Sequence, residues 1–313
     1  MKYWFKYFFY ASLIFLVVAL YRADYLEIPV IHNYTYLGLS FLFLFTGFVL
    51  HAISWSKVVK QAKFSVMYKD GIASAGLSVF GKYIPGKIWV IFGRSEYLAK
   101  TYQLSRKNIS VLSLNAQFIS LWSGLLFGVI GIIAINKLNV YGISALSLFI
   151  LLSVIIYTPF FHDQSENILS YIFNKKISIS NLSFVSVVKV LPWFLFYWFF
   201  WCISFFFLAA ALVKFSVTFH IAWGFGLAGA LGILAIIFPG GIGVREGILT
   251  GYLSLAGLDI AIATSIAVAS RLWFIAGEIF IFALGMILHL NKRNKSSFND
   301  LESNKKKTFN DQN

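Results

Sequence analysis

Phe238-Pro239-Gly240-Gly241-Ile242-Gly243-Val244-Arg245-Glu246-Gly247 interrupts an otherwise apolar stretch that runs from 219 to 258. Proline removes a backbone donor and stops a helix. The glycines that follow permit backbone conformations closed to other residues. An arginine and a glutamate come directly behind. In a water-soluble chain this would be an ordinary loop. Inside a lipid bilayer it is something else, because broken backbone there is tolerated only where protein or water covers its polar groups. The rest of the chain decides between these settings.

The 313 residues are 59% hydrophobic and only 12% charged, against about 25% charged in soluble domains. The apolar residues fall in runs long enough to cross a bilayer, which takes about 20 residues per helix. Long spanning helices are expected at about 4–21, 34–55, 108–135, 141–160, 190–213 and 260–289. The first follows Lys2 and Lys6 but is not followed by a small-x-small cleavage pattern, so it reads as an uncleaved helix and not as a secretory signal. Two further segments, 71–93 and 219–258, are apolar but broken by Gly and Pro. Glycines spaced by four, Gly124/Gly128 and Gly224/Ala228/Gly232, mark faces where helices approach closely.

The net charge of +14 does not point to nucleic acid, because the basic residues sit between the apolar runs. Under this assignment nineteen lie on one side of the membrane and three, Arg22, Lys137 and Lys214, on the other. The positive-inside rule then places both termini in the cytoplasm. That balance requires 71–93 to enter from the cytoplasm and return to it. The segment 219–258 can be re-entrant or cross twice. The tail 291–313 is rich in Lys, Asn and Ser and reads as a disordered cytoplasmic extension of a membrane domain spanning 1–290.

The two broken segments are alike. One is Phe80-Gly81-Lys82-Tyr83-Ile84-Pro85-Gly86-Lys87-Ile88-Trp89; the other opened this section. Arg94 and Glu96 follow the first break, and Arg245 and Glu246 follow the second. The first lies between helices running inward and then outward, the second between helices running outward and then inward. That is the pattern of an inverted-topology repeat whose broken helices meet near the midplane. The fold class is therefore an all-α polytopic membrane protein with about six long helices and two broken ones.

Several residues at these breaks carry chemistry. Helix N-termini attract anions, so Lys82 and Lys87 can hold a phosphate, or can instead snorkel to the interface beside Trp89. Gly243, Gly247 and Gly251 recur on one helix face, for close packing or for an acyl chain. Ionisable groups at membrane depth are expensive and functional by default. Arg271 lies midway along 260–289, with Glu278 two turns on along the same face; Arg271 pairs with Glu246 or Glu278. Cys202 has no companion for a disulfide or a metal. The five histidines, at 32, 51, 162, 220 and 289, fall mostly near helix ends, and the His162-Asp163 and Glu166 group reads as a solvated loop. No nucleotide loop, zinc motif or catalytic triad is present, so no cofactor or metal is expected.

Gly81-Lys82-Tyr83-Ile84-Pro85-Gly86-Lys87, then Pro239-Gly240-Gly241-Ile242-Gly243-Val244-Arg245-Glu246, then Arg271, resemble the flippase-like transmembrane family over most of 1–290. That family includes the membrane part of lysylphosphatidylglycerol synthases and stand-alone proteins near cell-envelope polysaccharide genes. With only a short polar tail before Asn313, the chain is expected to be a stand-alone member lacking the cytosolic synthase domain. The resemblance implies a transporter more than an enzyme. It would sit in the plasma membrane and move a phospholipid or a polyprenyl-phosphate-linked glycan between leaflets. Its substrate-binding residues would be Lys82, Tyr83, Pro85, Gly86, Lys87, Pro239, Gly240, Gly241, Gly243, Arg245, Glu246, Arg271 and Glu278. Its partners would be phosphate-bearing lipids and envelope-synthesis enzymes. A transferase on a lipid phosphate with Glu246 as base, and a non-catalytic partner of such enzymes, are the other readings.

Overall fold

The computed structural model describes residues 30–84, 88–136, 139–157, 184–235 and 238–310. The expected helix at 4–21 and the residues Pro85, Gly86 and Lys87 lie outside the described residues. Helix α1 is Tyr34–Gln61. A broken pair follows, with α2 at Tyr68–Ser78 running into a tight 3-10 turn at Val79–Tyr83, and α3 at Ile88–Tyr102. Then come α4 (Arg106–Asn136), α5 (Val140–Tyr157) and α6 (Phe184–Leu212). The second broken pair is α7 (Trp223–Leu234) and α8 (Val244–Leu255), with a short turn at Pro239–Gly241 between them. Helix α9 is Ile260–Asn310. The polar tail expected to be unstructured thus continues the last helix in backbone as far as Asn310.

Among the described residues, four helices are long and apolar enough to cross a membrane, at Tyr34–Gln61, Arg106–Ile135, Val185–Leu212 and Ile260–Lys292. Helix α5 has 18 residues, of which Gly142–Leu151 form a shorter apolar stretch. The arms of the broken pairs are of another kind. Helix α2 has 11 residues and α7 and α8 have 12 each. At 1.5 Å per residue such arms reach about 16–18 Å, roughly half the ~30 Å of hydrocarbon.

The packing is the same in both halves. Helix α4 packs along α7, and α9 packs along α2. Helix α3 packs on α4 and α8 on α9, while α2 packs on α3 and α7 on α8. Exchanging α1–α4 for α6–α9 leaves this pattern unchanged, and α5 stands outside it. Helices α1 and α6, exchanged with each other, lie against one another. They run antiparallel: the His32 amide donates to the Ala211 carbonyl at 2.8 Å, Ser204 Oγ donates to the Ser40 carbonyl, and Gln61 Nε2 reaches Ser186 Oγ at 3.5 Å. An antiparallel pair of equivalent helices is what inversion of one half against the other requires.

Glycine sets the closest approaches in both halves. A Cβ on Gly76 of α2 would lie 2.2 Å from the Ile281 carbonyl oxygen and 3.2 Å from Gly285 Cα, both on α9. In the counterpart contact of α4 with α7, a Cβ on Gly128 would meet Leu227 Cβ at 2.7 Å. At the far end of the α2–α9 contact, the Asp70 carboxylate accepts from Tyr102 Oη at 2.5 Å and pairs with Lys292 at 2.8 Å. Burial, helped by that bond to Asp70, raises the Tyr102 phenol above its ordinary value and keeps it a donor.

The stripe of Gly243, Gly247 and Gly251 behaves differently. Nothing lies within 4 Å of a Cβ built on any of them, and all three are exposed, so this face meets no other described helix. Gly76→Ala is therefore expected to destabilise the protein by about 1–3 kcal/mol, the usual cost of overpacking. Gly251→Ala, inside a helix and in open space, is expected to be neutral or slightly stabilising. Thermal unfolding in detergent, followed by size exclusion, checks both.

Candidate functional site

The two breaks meet. The turn Val79–Tyr83 packs on the turn Pro239–Gly241, and a Cβ on Gly240 would lie 2.5 Å from the Tyr83 ring and 2.6 Å from Arg271 Nη2. Gly240, Gly241 and Gly243 have φ of +60°, +71° and +83°. This left-handed path turns the chain within a few residues, and only glycine adopts it freely. Any side chain at Gly240 would collide with both the ring and the guanidinium.

Two acids, two bases and one aromatic ring close round this point. Helix α9 passes beside it and presents Arg271 and Glu278, both almost fully buried. Glu278 pairs with Lys82 and accepts from Tyr83 Oη at 2.7 Å. Glu246, at the start of α8, accepts from the Gly243 amide at 2.7 Å, which caps the helix. Its other oxygen lies 3.9 Å from Arg271 Nε. The Arg271 guanidinium also sits 5.3 Å from the Tyr83 ring centroid. Of the two pairings open to Arg271 on sequence grounds, the structure places it with Glu246, and Glu278 is taken by Lys82.

Arg245 points away from Glu246, as adjacent residues on a helix do. Its guanidinium lies between the rings of Phe225 and Phe274, 4.4 Å from each centroid. Such stacking is favourable for a cation but covers only the faces of the plane. Its Nε and Nη2 are buried with no hydrogen-bond partner among the described residues.

Arg94 is the residue that sequence reasoning misplaced. It is one of the nineteen basic residues that the charge balance assigns to the cytoplasmic side, yet it is 3% exposed and stacks 4.5 Å from the Trp55 ring centroid. It donates to the side chain and the backbone carbonyl of Ser113 on α4. The signal is its position, directly after an apolar run from Ile88 to Gly93 with no other charge. Glu96 has no such role. It pairs at the surface with Lys100 at 2.7 Å and Arg106 at 3.0 Å, so the two Arg-Glu pairs after the breaks are not equivalent.

Beside this cluster lies a cavity of about 350 Å³. Lys82, Arg94, Arg245, His51, Gln117 and Gly240 supply its polar edge, and Phe, Trp, Ile and Leu side chains from α1, α3, α4, α6, α7 and α9 supply most of its wall. Among the described residues, no group of three or more His, Cys, Asp or Glu is placed to hold a metal ion.

The fold and the site define a polytopic membrane protein whose broken helices enclose a charged, largely apolar-walled cavity. The chain belongs to the family of the lysylphosphatidylglycerol synthase TM region, which matches residues 3–285. That family places it in the setting of membrane lipids. Comparison with curated proteins and with solved structures finds no match.

Breaking a buried ion pair from one side costs about 3–5 kcal/mol, whereas replacing both partners with apolar residues is often neutral. Glu278→Ala should therefore lower the melting temperature sharply. The double variant Lys82→Met, Glu278→Met should keep most of the wild-type stability, read by thermal unfolding in detergent.

Proposed function

We propose that this protein moves a phosphate-bearing lipid, a phospholipid or a polyprenyl-phosphate-linked glycan, between the leaflets of the plasma membrane during cell-envelope biogenesis, with both termini cytoplasmic. The observation that carries this reading is the cavity at the meeting of the broken helices. Its wall suits an acyl or prenyl chain, and its basic edge suits a phosphate. A lipid crossing the bilayer has to bring its headgroup through hydrocarbon, and fixed cations with an apolar lining lower that cost. Membership of a family named for a lipid-synthase membrane region fits the same reading.

The division of labour differs from the one expected from sequence. Lys82 is held by Glu278, so among the described residues the cations left to face a guest are Arg94 and Arg245. Tyr83, Gly240, Gly241 and Gly243 form the junction, and Arg271, Glu246 and Glu278 brace it. Pro239 opens the second turn; Pro85, Gly86 and Lys87 lie outside the described residues. The transferase reading gains no support, because the Glu246 carboxylate is engaged by Gly243 and Arg271 and does not line the cavity.

Reconstitution tests the proposal. Purified protein in liposomes carrying a fluorescent anionic phospholipid or a polyprenyl-phosphate analogue is expected to expose lipid to an impermeant quencher faster than empty liposomes do. A Glu246→Gln, Arg271→Ala variant that elutes as folded protein should lose at least about 90% of that rate. Equal rates with and without protein, for both lipids, would overturn the reading.

A further inference from the structure

The charges round the cavity do not balance. Lys82, Arg94, Arg245 and Arg271 stand against Glu246 and Glu278, the only carboxylates buried near the breaks among the described residues. Asp70, the other buried acid, is with Lys292 and Tyr102 at the far end of the α2–α9 contact. Among the described residues, two positive charges are therefore left over. Lys87 lies outside the described residues.

The excess cannot be shed as protons. A buried lysine can neutralise itself, but a guanidinium does not deprotonate in proteins. The two cations with no carboxylate in an ion pair are both arginines, and both line the same cavity. An uncompensated buried charge is strongly destabilising, so the occupied state is the one in which these charges are met. Arg245 is prepared for this, with its faces held by two aromatic rings and its Nε and Nη2 without hydrogen-bond partners. Arg94 is fixed by Ser113 and Trp55 and retains further N–H groups. Two planar forks are the arrangement that receives phosphate oxygens in paired hydrogen bonds.

We infer that the cavity takes a doubly charged phosphate group, a diphosphate or a phosphomonoester dianion, shared between Arg94 and Arg245. This rests on the lipid reading above for the ligand's apolar part but adds the headgroup's charge. A phosphodiester such as that of phosphatidylglycerol carries one negative charge and would leave one arginine unmet.

The test is calorimetric titration of the full chain in nanodiscs of zwitterionic lipid. The probes are dodecyl phosphate, farnesyl diphosphate, phosphatidylglycerol and inorganic pyrophosphate. Dodecyl phosphate should bind about tenfold more tightly at pH 7 than at pH 5, following the second ionisation of a phosphomonoester near pH 6. Farnesyl diphosphate should bind at both values, and phosphatidylglycerol weakly at both. His51 lines the cavity too; its protonation would tighten anion binding as pH falls, the opposite sign. Lys82 and Glu278 are locked in their own pair. Arg245→Met and Arg94→Gln should each remove the preference for the dianion. Arg245→Met should also melt no lower than wild type without ligand, which separates lost binding from lost folding.

Phosphatidylglycerol binding as tightly as the dianions would overturn the inference while leaving translocation intact, as would unchanged dianion binding by a folded Arg245→Met protein. Dianion binding without movement of any lipid would uphold the site and remove the translocation reading. Pyrophosphate competing at the concentration of farnesyl diphosphate would uphold the charge and assign the site to a soluble anion; failure to compete would assign it to a lipid.

Discussion

The meeting of Tyr83 with Gly240 is the contact on which the site depends. Two chains are broken there inside apolar surroundings, and each broken end needs cover for its backbone. The cover is mutual. The Tyr83 ring closes on the glycine turn, and its hydroxyl ties the first break to Glu278 on α9. Glu246 satisfies an amide of the second turn and faces Arg271, two turns from Glu278 on the same face of α9. Helix α9 thus holds both breaks at once, through one acid and one base spaced two turns apart. A cavity can persist beside them because this brace fixes its floor.

The surrounding bundle exists to bring those breaks together. Among the described residues, four long helices form the frame, and the half-length arms lie between them. Close glycine contacts, Gly76 with Ile281 and Gly128 with Leu227, let each arm lie against a long helix of the opposite half. The pairing of α1 with α6 forms the line about which the two halves exchange. Aromatic residues from several helices, among them Phe48, Trp201, Phe225 and Phe274, pack edge to ring across the middle. Their ring faces are also what holds Arg245.

Much of this was readable from the residues. Runs of apolar sequence give the long helices because hydrocarbon thickness fixes their length. The Pro-Gly breaks and their flanking order gave the inverted arrangement, since a broken helix in lipid has few other places to be. Pairing was harder. The sequence placed Arg271 and Glu278 on one face but could not choose between two acids for one arginine, because that choice depends on how α8 enters after three left-handed glycines. Arg94 was missed for a related reason. The positive-inside rule counts charges along the chain, and a short re-entrant arm can carry a charge inward that the count assigns to water. The glycine stripe on α8 looked like a packing face, yet periodicity alone does not say whether a neighbour is present.

The likeness of the two halves extends to backbone and packing but not to charge. Glu278 and Arg271 sit on α9, while the corresponding part of α4, near Gln117 and Ser120, is neutral. Two conformations related by swapping the roles of the halves would be degenerate in a molecule symmetric in every respect. Here they cannot be. The acid–base brace belongs to one half only, so two such conformations would differ in energy, and α9 would set the difference.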